Sequence, residues 1–419
     1  MKIHLVGGAV RDEILGLPVK DRDWVVVGAT PQQMLDSGFR SVGADFPVFL
    51  HPQSNEEYAL ARTERKTGPG YAGFAFHADP AVTLEEDLGR RDLTINAMAK
   101  GDDGRLIDPH GGALDLKSGI FRHIGPSFAE DPVRILRVAR LAARYPRFKV
   151  AAPTLALMKE MVRNGEIDAL VPERIWKEVS RGLEERQPSR MIQVLRDCGA
   201  LARLLPELDC LYGIPAPAQW HPEVDTGIHI EMAVDHAAKI NAPLAVRFAT
   251  LLHDLGKGLT EAELLPRHPA HEIRGLPLVD AVCKRWKVPN DIRELARLVT
   301  REHGNVHAST GFKASPLMRL LDRCGAVKHP ERFDQFLLAC ECDARGRLGL
   351  EDRDYFQVDV LRDTLAVALS VDTKAVVARA VSNGVKGKAL SEAIQQARVV
   401  AIQKHQLFEG AKSRTASPW

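Results

Sequence analysis

The chain has 419 residues, of which 45% are hydrophobic and 27% charged, and this ordinary balance excludes a mainly disordered protein. The length exceeds what one compact core holds, so it predicts several folding units. Lys plus Arg number 57 and Asp plus Glu 55, which gives a net charge of +2, so nucleic acid could be bound only through local basic patches.

The N-terminus and the cysteines predict where the protein resides. Six cysteines are scattered without a C-x-x-C pair, which favours free thiols in a reducing compartment. The first residues lack the apolar core and cleavage site of a signal peptide, and no apolar stretch approaches membrane-spanning length. We therefore expect a cytoplasmic protein that does not contact a membrane.

The hydrophobic pattern changes along the chain and predicts an α+β protein. Short strand-like runs at Ile3–Val6, Trp24–Val27 and Tyr58–Ala61 alternate with Gly and Pro in the first third. Helical spacing begins near Asp131, and a Pro-rich break lies at 214–217. We expect a mixed α/β domain over 1–125, a helical neck and body over 126–214, a histidine-dense helical domain over 215–329 and a helical tail over 330–419.

Two motifs near the N-terminus suggest nucleotide chemistry. Residues 5–12 are typical of a strand, a glycine turn and a helix, which directs backbone N–H groups at an anion, although many such turns have no ligand. Asp21 and Asp23 then stand two apart in a predicted strand, so both carboxylates share one face. They repel each other unless a cation lies between them, which favours a magnesium site at a triphosphate over a strand-edge charge pair. Glu57 opens the next strand as either a third acidic ligand or an exposed side chain.

Two arginine-rich segments follow. Residues 90–98 predict a short helical segment whose guanidinium groups suit phosphate. After Pro132, four polar residues recur every three positions and should share one helix face: Asp131, Arg134, Arg137 and Arg140. An N-cap followed by a solvated basic stripe is the alternative interpretation.

Taken together, these motifs resemble those of the class II CCA-adding tRNA nucleotidyltransferases. The similar segments are Gly-Gly-Ala-Val-Arg-Asp, Asp-Arg-Asp-Trp, Arg-Arg-Asp-Leu-Thr-Ile-Asn-Ala-Met and Glu-Asp-Pro-Val-Arg-Ile-Leu-Arg, and the resemblance to multifunctional bacterial members spans nearly the whole chain. It implies a polymerase-β-like head that adds CCA to tRNA from CTP and ATP without a nucleic-acid template. The roles it implies are Mg²⁺ binding by Asp21 and Asp23, nucleotide binding by Gly8 and Arg11, triphosphate contact by Arg91, and base reading by the helix that carries Asp131, Arg134, Arg137 and Arg140.

Bacterial poly(A) polymerases share much of this head and are the nearest alternative. They typically carry consecutive basic residues where this chain has Val-Gly-Ala-Asp-Phe-Pro-Val at 42–48, and they usually lack the histidine-rich domain. The sequence therefore favours CCA addition.

The third predicted domain carries a histidine and aspartate cluster. His253 and Asp254 follow an apolar helical run, with His229 upstream and further histidines at 268, 271 and 303. A lone buried histidine is usually structural, but several imidazoles with a carboxylate suit a transition metal. The block resembles an HD-type phosphohydrolase domain, in which His229, His253 and Asp254 match the ligands and Asp343 is a candidate to close the set.

That resemblance implies phosphatase, 2′-nucleotidase and 2′,3′-cyclic phosphodiesterase activities with Ni²⁺ or another divalent transition metal, and a monomer with some homodimer. A hydrolase whose head serves only as an RNA-binding module is another alternative. The presence of Asp21, Asp23, Gly8, Arg11 and Arg91 argues against it.

Overall fold

The structure is a computed structural model that describes residues 1–19, 21–42, 48–66, 74–77 and 79–415. The chain divides into two compact units. The first comprises Met1–Gly182 and Arg190–Leu204, and the second comprises Leu183–Ser189 and Leu205–Trp419.

The first unit begins with a mixed sheet. Its elements are β1 (Lys2–Val6), α1 (Gly8–Ile14), β2 (Asp23–Val27), α2 (Pro31–Asp36), β3 (Arg40–Val42), β4 (Val48–Leu50), β5 (Glu57–Leu60), β6 (Thr63–Lys66), β7 (Phe74–His77), α3 (Leu84–Gly89), β8 (Ala99–Lys100), β9 (Leu106–Ile107), α4 (Gly112–Ser118) and β10 (Ile120–Phe121). Within the described ranges the main sheet has the order β3-β4-β5-β2-β1-β8-β9. Strand β2 is antiparallel to β1 and parallel to β5.

Both faces of this sheet are buried. Along β2, Val25 packs with Val6 and Leu88 on one face, while Val26 packs with Met34 on the other. Successive side chains of a strand point to opposite faces, so a run of valines fills both layers. This packing fixes the position of β2. Because Asp23 is the first residue of β2, the same packing fixes the backbone of Asp23.

Helices follow the sheet: α5 (Val133–Arg144), α6 (Ala152–Arg163), α7 (Pro172–Glu184), α8 (Pro188–Asp197) and α9 (Ala200–Leu204), with a short strand β11 (Lys149–Val150) that pairs with β10. Helix α5 is strongly amphipathic. Ile135, Val138 and Ala142 are fully buried, and the arginines lie between them. Burial of that apolar stripe holds the arginine-bearing face in place.

The second unit is helical. It contains α10 (Pro206–Asp209), α11 (Thr226–Lys239), α12 (Leu244–Leu252), α13 (His271–Trp286), α14 (Asn290–His307), α15 (Ala314–Arg323), α16 (Pro330–Arg345), α17 (Gln357–Leu369), α18 (Thr373–Ser382) and α19 (Lys388–Thr415). Helices α11, α12, α14 and α16 pack together around buried residues such as Phe248 and Phe336. Among the described residues, no helix combines the length and apolar character needed to cross a membrane.

The α+β prediction and the three predicted strands are confirmed, and all six cysteines are free. The helical prediction for 90–98 is wrong. The Asp92 side chain accepts from the backbone N–H of Leu93, which is extended and bridges to His123, so only Thr94–Asn96 forms a turn of 3₁₀-helix. The prediction that Asp21 lies in a strand is also wrong. Strand β1 ends at Val6, which pairs with Asp23, so no residue of β1 remains to pair with Asp21. The four-part domain division stays a prediction.

Candidate active sites

A basic cleft of about 500 Å³ lies in the first unit. Nine arginines and five aspartates line it among the residues that the structure describes. The cleft brings together the glycine turn, both early aspartates and the base-reading candidates: Gly8, Arg11, Asp21, Asp23, Arg91, Asp131, Arg134, Arg137 and Arg140. An anionic, metal-bound ligand would complement this surface.

The Arg11 side chain lies beside the glycine turn and fixes the start of α1. It is almost fully buried and donates to Asn96 Oδ1 at 2.6 Å, to the Tyr145 hydroxyl at 3.0 Å and to Asp12 at 2.9 Å. Gly7 has φ +70°, and a Cβ there would lie 2.9 Å from the Arg91 guanidinium. Glycine is therefore required both for this backbone conformation and for the close approach of the arginine.

Asp21 and Asp23 are exposed on the cleft wall and make no hydrogen bond or ion pair with another described residue. Partial burial raises the pKa of Asp23, with Asp21 adding to the shift and Arg91 opposing it. Glu57 is the register partner of Asp23 on parallel strand β5 and is also exposed. Adjacent carboxylates that have no partner among the described residues fit a hard divalent cation, which prefers oxygen ligands.

The arginines of the cleft are oriented by carboxylates. Arg91 donates to buried Asp87 at 3.2 Å, and Arg137 Nε donates to buried Asp92 at 2.7 Å. Burial alone would raise the pKa of Asp92, but Arg137 outweighs it and lowers that pKa. These guanidinium groups therefore stand in fixed positions before any ligand arrives.

The base-reading candidates have partners that sequence reasoning missed. Arg174 of α7 donates hydrogen bonds to both carboxylate oxygens of Asp131, at 3.1 and 2.7 Å. Arg140 pairs with Glu178 of the same helix at 2.7 Å. Arg134 donates to the backbone carbonyls of residues 90, 91 and 127, which fixes its guanidinium. The spacing of Arg174, Glu178 and Arg181 marks a polar stripe on α7 that could have indicated these contacts.

In the second unit, four buried residues converge from two helices and the turn after α12. His229 of α11 lies 3.0 Å from Asp343 of α16, and His253 lies 3.2 Å from Asp254. Burial opposes ionisation of Asp254, but His253 and Lys257 lower its pKa well below the usual range. All four predicted ligands are therefore together, and at least one carboxylate is an anion.

The imidazole tautomers show that this cluster suits a metal. His253, His271 and His303 each place Nδ1 2.8 to 3.0 Å from a backbone carbonyl, which can only accept, so each Nδ1 carries its proton. Their Nε2 lone pairs then face Asp254 at 3.2, 3.2 and 3.6 Å. His253 Nε2 and Asp254 Oδ1 are buried without a hydrogen-bond partner. Lys257 lies 2.6 Å from the other oxygen of Asp254, and a metal ion between that carboxylate and the imidazoles would satisfy the atoms that lack a partner. Imidazole and carboxylate together suit a transition metal.

The remaining histidines take distinct positions. His271 and His303 form a ligand group with Asp254, and their Nε2 atoms are 3.3 Å apart. His268 instead uses both ring nitrogens in hydrogen bonds, with the Thr260 hydroxyl and the Pro215 carbonyl. His268 therefore orders the loop that precedes α13.

Several partners of the cluster were not predicted. Glu223 lies 3.0 Å from Nδ1 of His229, and Arg347 donates to Asp343 at 2.9 Å. His307 connects Asp343, at 2.7 Å, to the Tyr355 hydroxyl, at 2.6 Å. Contacts of this kind orient the residues that would bind the metal. Local sequence spacing cannot predict them, because they join distant segments of the chain.

Family models match three parts of the chain. Residues 3–122 match the poly A polymerase head domain, 147–211 match the probable RNA and SrmB-binding site of polymerase A, and 226–329 match the HD domain. These matches and the two sites define a nucleotidyltransferase with an additional HD domain, both of which depend on divalent metal.

Curated relatives identify the family more closely. The multifunctional CCA protein of Variovorax paradoxus is 58% identical over 414 residues, covering 96% of this chain and 99% of that protein. The multifunctional CCA protein of Leptothrix cholodnii is 60% identical and covers 96% of each. The chain belongs to the multifunctional CCA protein family.

Solved structures share the fold. The Thermotoga maritima CCA-adding enzyme complexed with tRNA has a TM-score of 0.62 at 20% identity, covering 96% of this chain and 87% of that one. A CCA-adding enzyme complexed with ATP has a TM-score of 0.61 at 19% identity, covering 100% of this chain and 90% of that one. At such identities the likeness concerns the fold alone.

Proposed function

We propose that the first unit adds cytidine, cytidine and adenosine to the 3′ end of tRNA from CTP and ATP, without a nucleic-acid template. The observation that carries this proposal is a cleft in which Asp21 and Asp23, without a partner among the described residues, lie beside arginines that protein contacts hold in place. In the reaction, the tRNA 3′-oxygen forms a bond to the α-phosphorus. The bond to pyrophosphate breaks, and the hydroxyl proton is released.

The roles of the residues follow from their positions. Asp21 and Asp23 would hold Mg²⁺, which lowers the pKa of the attacking hydroxyl and neutralises the triphosphate. The turn at Gly8 presents backbone N–H groups, while Arg11 keeps the turn in shape through its buried contacts. Arg91, fixed by Asp87, is placed to donate to triphosphate oxygens.

Base selection falls to the wall formed by α5. Asp131 can accept from an exocyclic amine, which cytosine and adenine both carry, and Arg134 can donate to ring acceptors. Arg174 and the carbonyls that hold Arg134 keep these groups at fixed angles. A rigid protein surface of this kind would replace a templating base.

The decisive experiment offers tRNA that lacks its CCA end CTP alone in one reaction and ATP alone in a parallel reaction. Incorporation of two cytidines supports the proposal, whereas failure to use CTP together with repeated adenosine addition would indicate poly(A) polymerase. Residues 43–47, on which the sequence comparison with that enzyme depends, lie outside the described residues. The assay is therefore the direct test.

We propose that the second unit hydrolyses phosphate esters at RNA ends as a phosphatase, 2′-nucleotidase and 2′,3′-cyclic phosphodiesterase. His229, His253, Asp254 and Asp343 would hold a transition metal, with Ni²⁺ as the proposed ion, and the metal would activate water. Water oxygen bonds to phosphorus, one ester bond breaks and a proton passes to the leaving oxygen. Hydrolysis of a 2′,3′-cyclic phosphate in chelator-treated protein after addition of Ni²⁺, Co²⁺ or Mn²⁺ tests both the activity and the metal.

The assembly and location remain part of the same proposal. We expect a cytoplasmic protein that binds tRNA, as a monomer with some homodimer. Light scattering over a range of protein concentrations measures the oligomeric state, and a single mass at all concentrations would exclude the homodimer.

A further inference from the structure

Two clefts lie side by side in the second unit, one of them at the metal cluster. The cleft at the cluster has a volume of about 450 Å³, and the neighbouring one, here called the outer cleft, about 440 Å³. Trp220, His307 and Arg347 line both. The two clefts are therefore neighbours on either side of these three residues, and the outer cleft lies next to the metal cluster.

Two aromatic side chains stand exposed in the outer cleft. Trp220 is 58% and Phe356 62% exposed, and neither ring packs against another ring in the part of the chain that the structure describes. Large apolar side chains are usually buried, so two exposed rings in one cleft indicate a surface that a ligand covers.

The charge of the outer cleft suits an anion. Arg345, Arg347 and Arg353 line it together with one acid, Asp354. Arg345 pairs with Glu341 and Arg347 with Asp343, so Arg353 carries the charge that is available to a ligand. Arg353 is exposed and has no side-chain hydrogen bond or ion pair with any described residue. Positive charge beside flat rings is the combination with which proteins bind single-stranded RNA.

Arg347 connects this surface to the metal cluster. Its Nη2 donates to Asp343 Oδ1 at 2.9 Å, and its Nη1 donates to the carbonyl of Trp220 at 3.2 Å. One guanidinium therefore fixes the backbone that carries an exposed ring relative to a carboxylate of the cluster. A base on that ring would lie at a set distance from a phosphate at the metal.

We propose that the outer cleft binds the terminal nucleoside of the RNA end that the second unit hydrolyses, with its base against Trp220 and Phe356 and its phosphate at the metal cluster. The inference rests on the proposed phosphohydrolase function and adds a nucleobase subsite to it. Stacking accepts any base, so the subsite selects nucleotides over other phosphate esters rather than one base over another.

The test compares adenosine 2′,3′-cyclic phosphate with ribose 2′,3′-cyclic phosphate, which lacks the base. The quantity measured is the ratio of kcat/KM for the two substrates. Base stacking is worth about 1 to 3 kcal/mol, so Trp220→Ala should reduce this ratio roughly 5- to 150-fold. Trp220→Phe retains a stacking ring and should keep most of the ratio.

Controls separate stacking from structural damage. Val381→Ala truncates a side chain that is 55% exposed on α18 and should leave the ratio unchanged. Metal content, measured by mass spectrometry, should stay at the wild-type value in every variant. Phe356→Ala provides an independent measurement of the same ratio if Trp220→Ala does not fold.

Each outcome decides a separate question. A ratio that is unchanged in both Trp220→Ala and Phe356→Ala overturns the subsite and leaves the phosphohydrolase function standing. If metal-loaded wild-type protein hydrolyses neither substrate, the phosphohydrolase function is wrong and the subsite falls with it. Equal activity of the wild type on both substrates also overturns the subsite.

Discussion

Asp131 provides the sharpest test of base reading, because its carboxylate already has a protein partner. Arg174 donates to its two oxygens at 3.1 and 2.7 Å. Asp131→Ala removes this ion pair, the acceptor for a base and the hydrogen bond from the Val133 N–H at the start of α5, whereas Arg174→Ala removes the ion pair alone. The two variants therefore separate recognition of the base from positioning of the carboxylate.

The expected magnitude follows from the chemistry of base contacts. A good bidentate contact contributes about 1 to 3 kcal/mol of discrimination, a factor of roughly 5 to 150. We expect Asp131→Ala, and separately Arg134→Ala, to raise misincorporation of UTP or GTP by roughly tenfold or more relative to CTP and ATP. Arg174→Ala should slow all four triphosphates with a smaller change in selectivity, since the acceptor remains.

The assay is single-turnover incorporation of each triphosphate into tRNA that ends before its CCA. Asp168→Ala is a matched control, because Asp168 pairs with Arg203 on the surface of the same unit, away from the cleft. It should change neither rate nor selectivity. A parallel loss for all four triphosphates in Asp131→Ala, equal to that in Arg174→Ala, would refute base reading and leave the metal site unaffected.

Four further substitutions, one of them with a matched control, test other parts of the molecule. Asp21→Ala should abolish nucleotide addition and spare cyclic phosphate hydrolysis, and His253→Ala should do the reverse; loss of both activities in a folded variant contradicts independent sites. Gly256→Ala puts a Cβ 2.0 Å from the carbonyl oxygen of residue 271. It should therefore lower the free energy of unfolding by about 1 to 3 kcal/mol and reduce the metal content. The control Gly311→Ala meets nothing within 4 Å and should change neither quantity. Asp92→Asn should destabilise the protein at pH 7. Because the folded-state pKa of Asp92 is depressed, the difference from wild type is full above about pH 4 and shrinks as the pH falls further, and equal urea midpoints at pH 7 would contradict it.

Local spacing could predict the positions of the chemistry in the first unit but not how its groups are held. A two-residue separation placed Asp21 and Asp23 together, and three-residue steps placed Arg134 and Arg137 on one face, and all four line the cleft. The ion pair of Asp131 with Arg174 joins α7 to the residue that precedes α5, 43 positions away. Tertiary packing alone brings such segments together, so periodicity within one helix cannot reveal them.

The same limit explains the histidines of the second unit. The adjacent His253 and Asp254 marked the cluster, and Asp343 joins it from α16. His268 and His271 stand three residues apart in one short segment, yet only His271 faces the carboxylate. Which ring nitrogen is protonated depends on the carbonyl that it meets, and this is a property of the folded backbone.

The two sites prepare for their ligands in opposite ways. In the first unit several guanidinium groups have a carboxylate partner, as in the pairs of Arg137 with Asp92 and Arg140 with Glu178, and Arg134 is held by backbone carbonyls, so these arginines are positioned before a nucleotide binds. In the second unit, imidazole Nε2 atoms face the buried Asp254, which pairs with Lys257 at 2.6 Å, and a metal ion would satisfy the atoms of His253 and Asp254 that are buried without a hydrogen-bond partner. Removal of metal should therefore leave the arginines of the first site in place, because protein partners hold them, while Asp21 and Asp23, which have no partner among the described residues, lose their counter-ion. It should weaken packing around the second, because metal binding there contributes to the folding free energy.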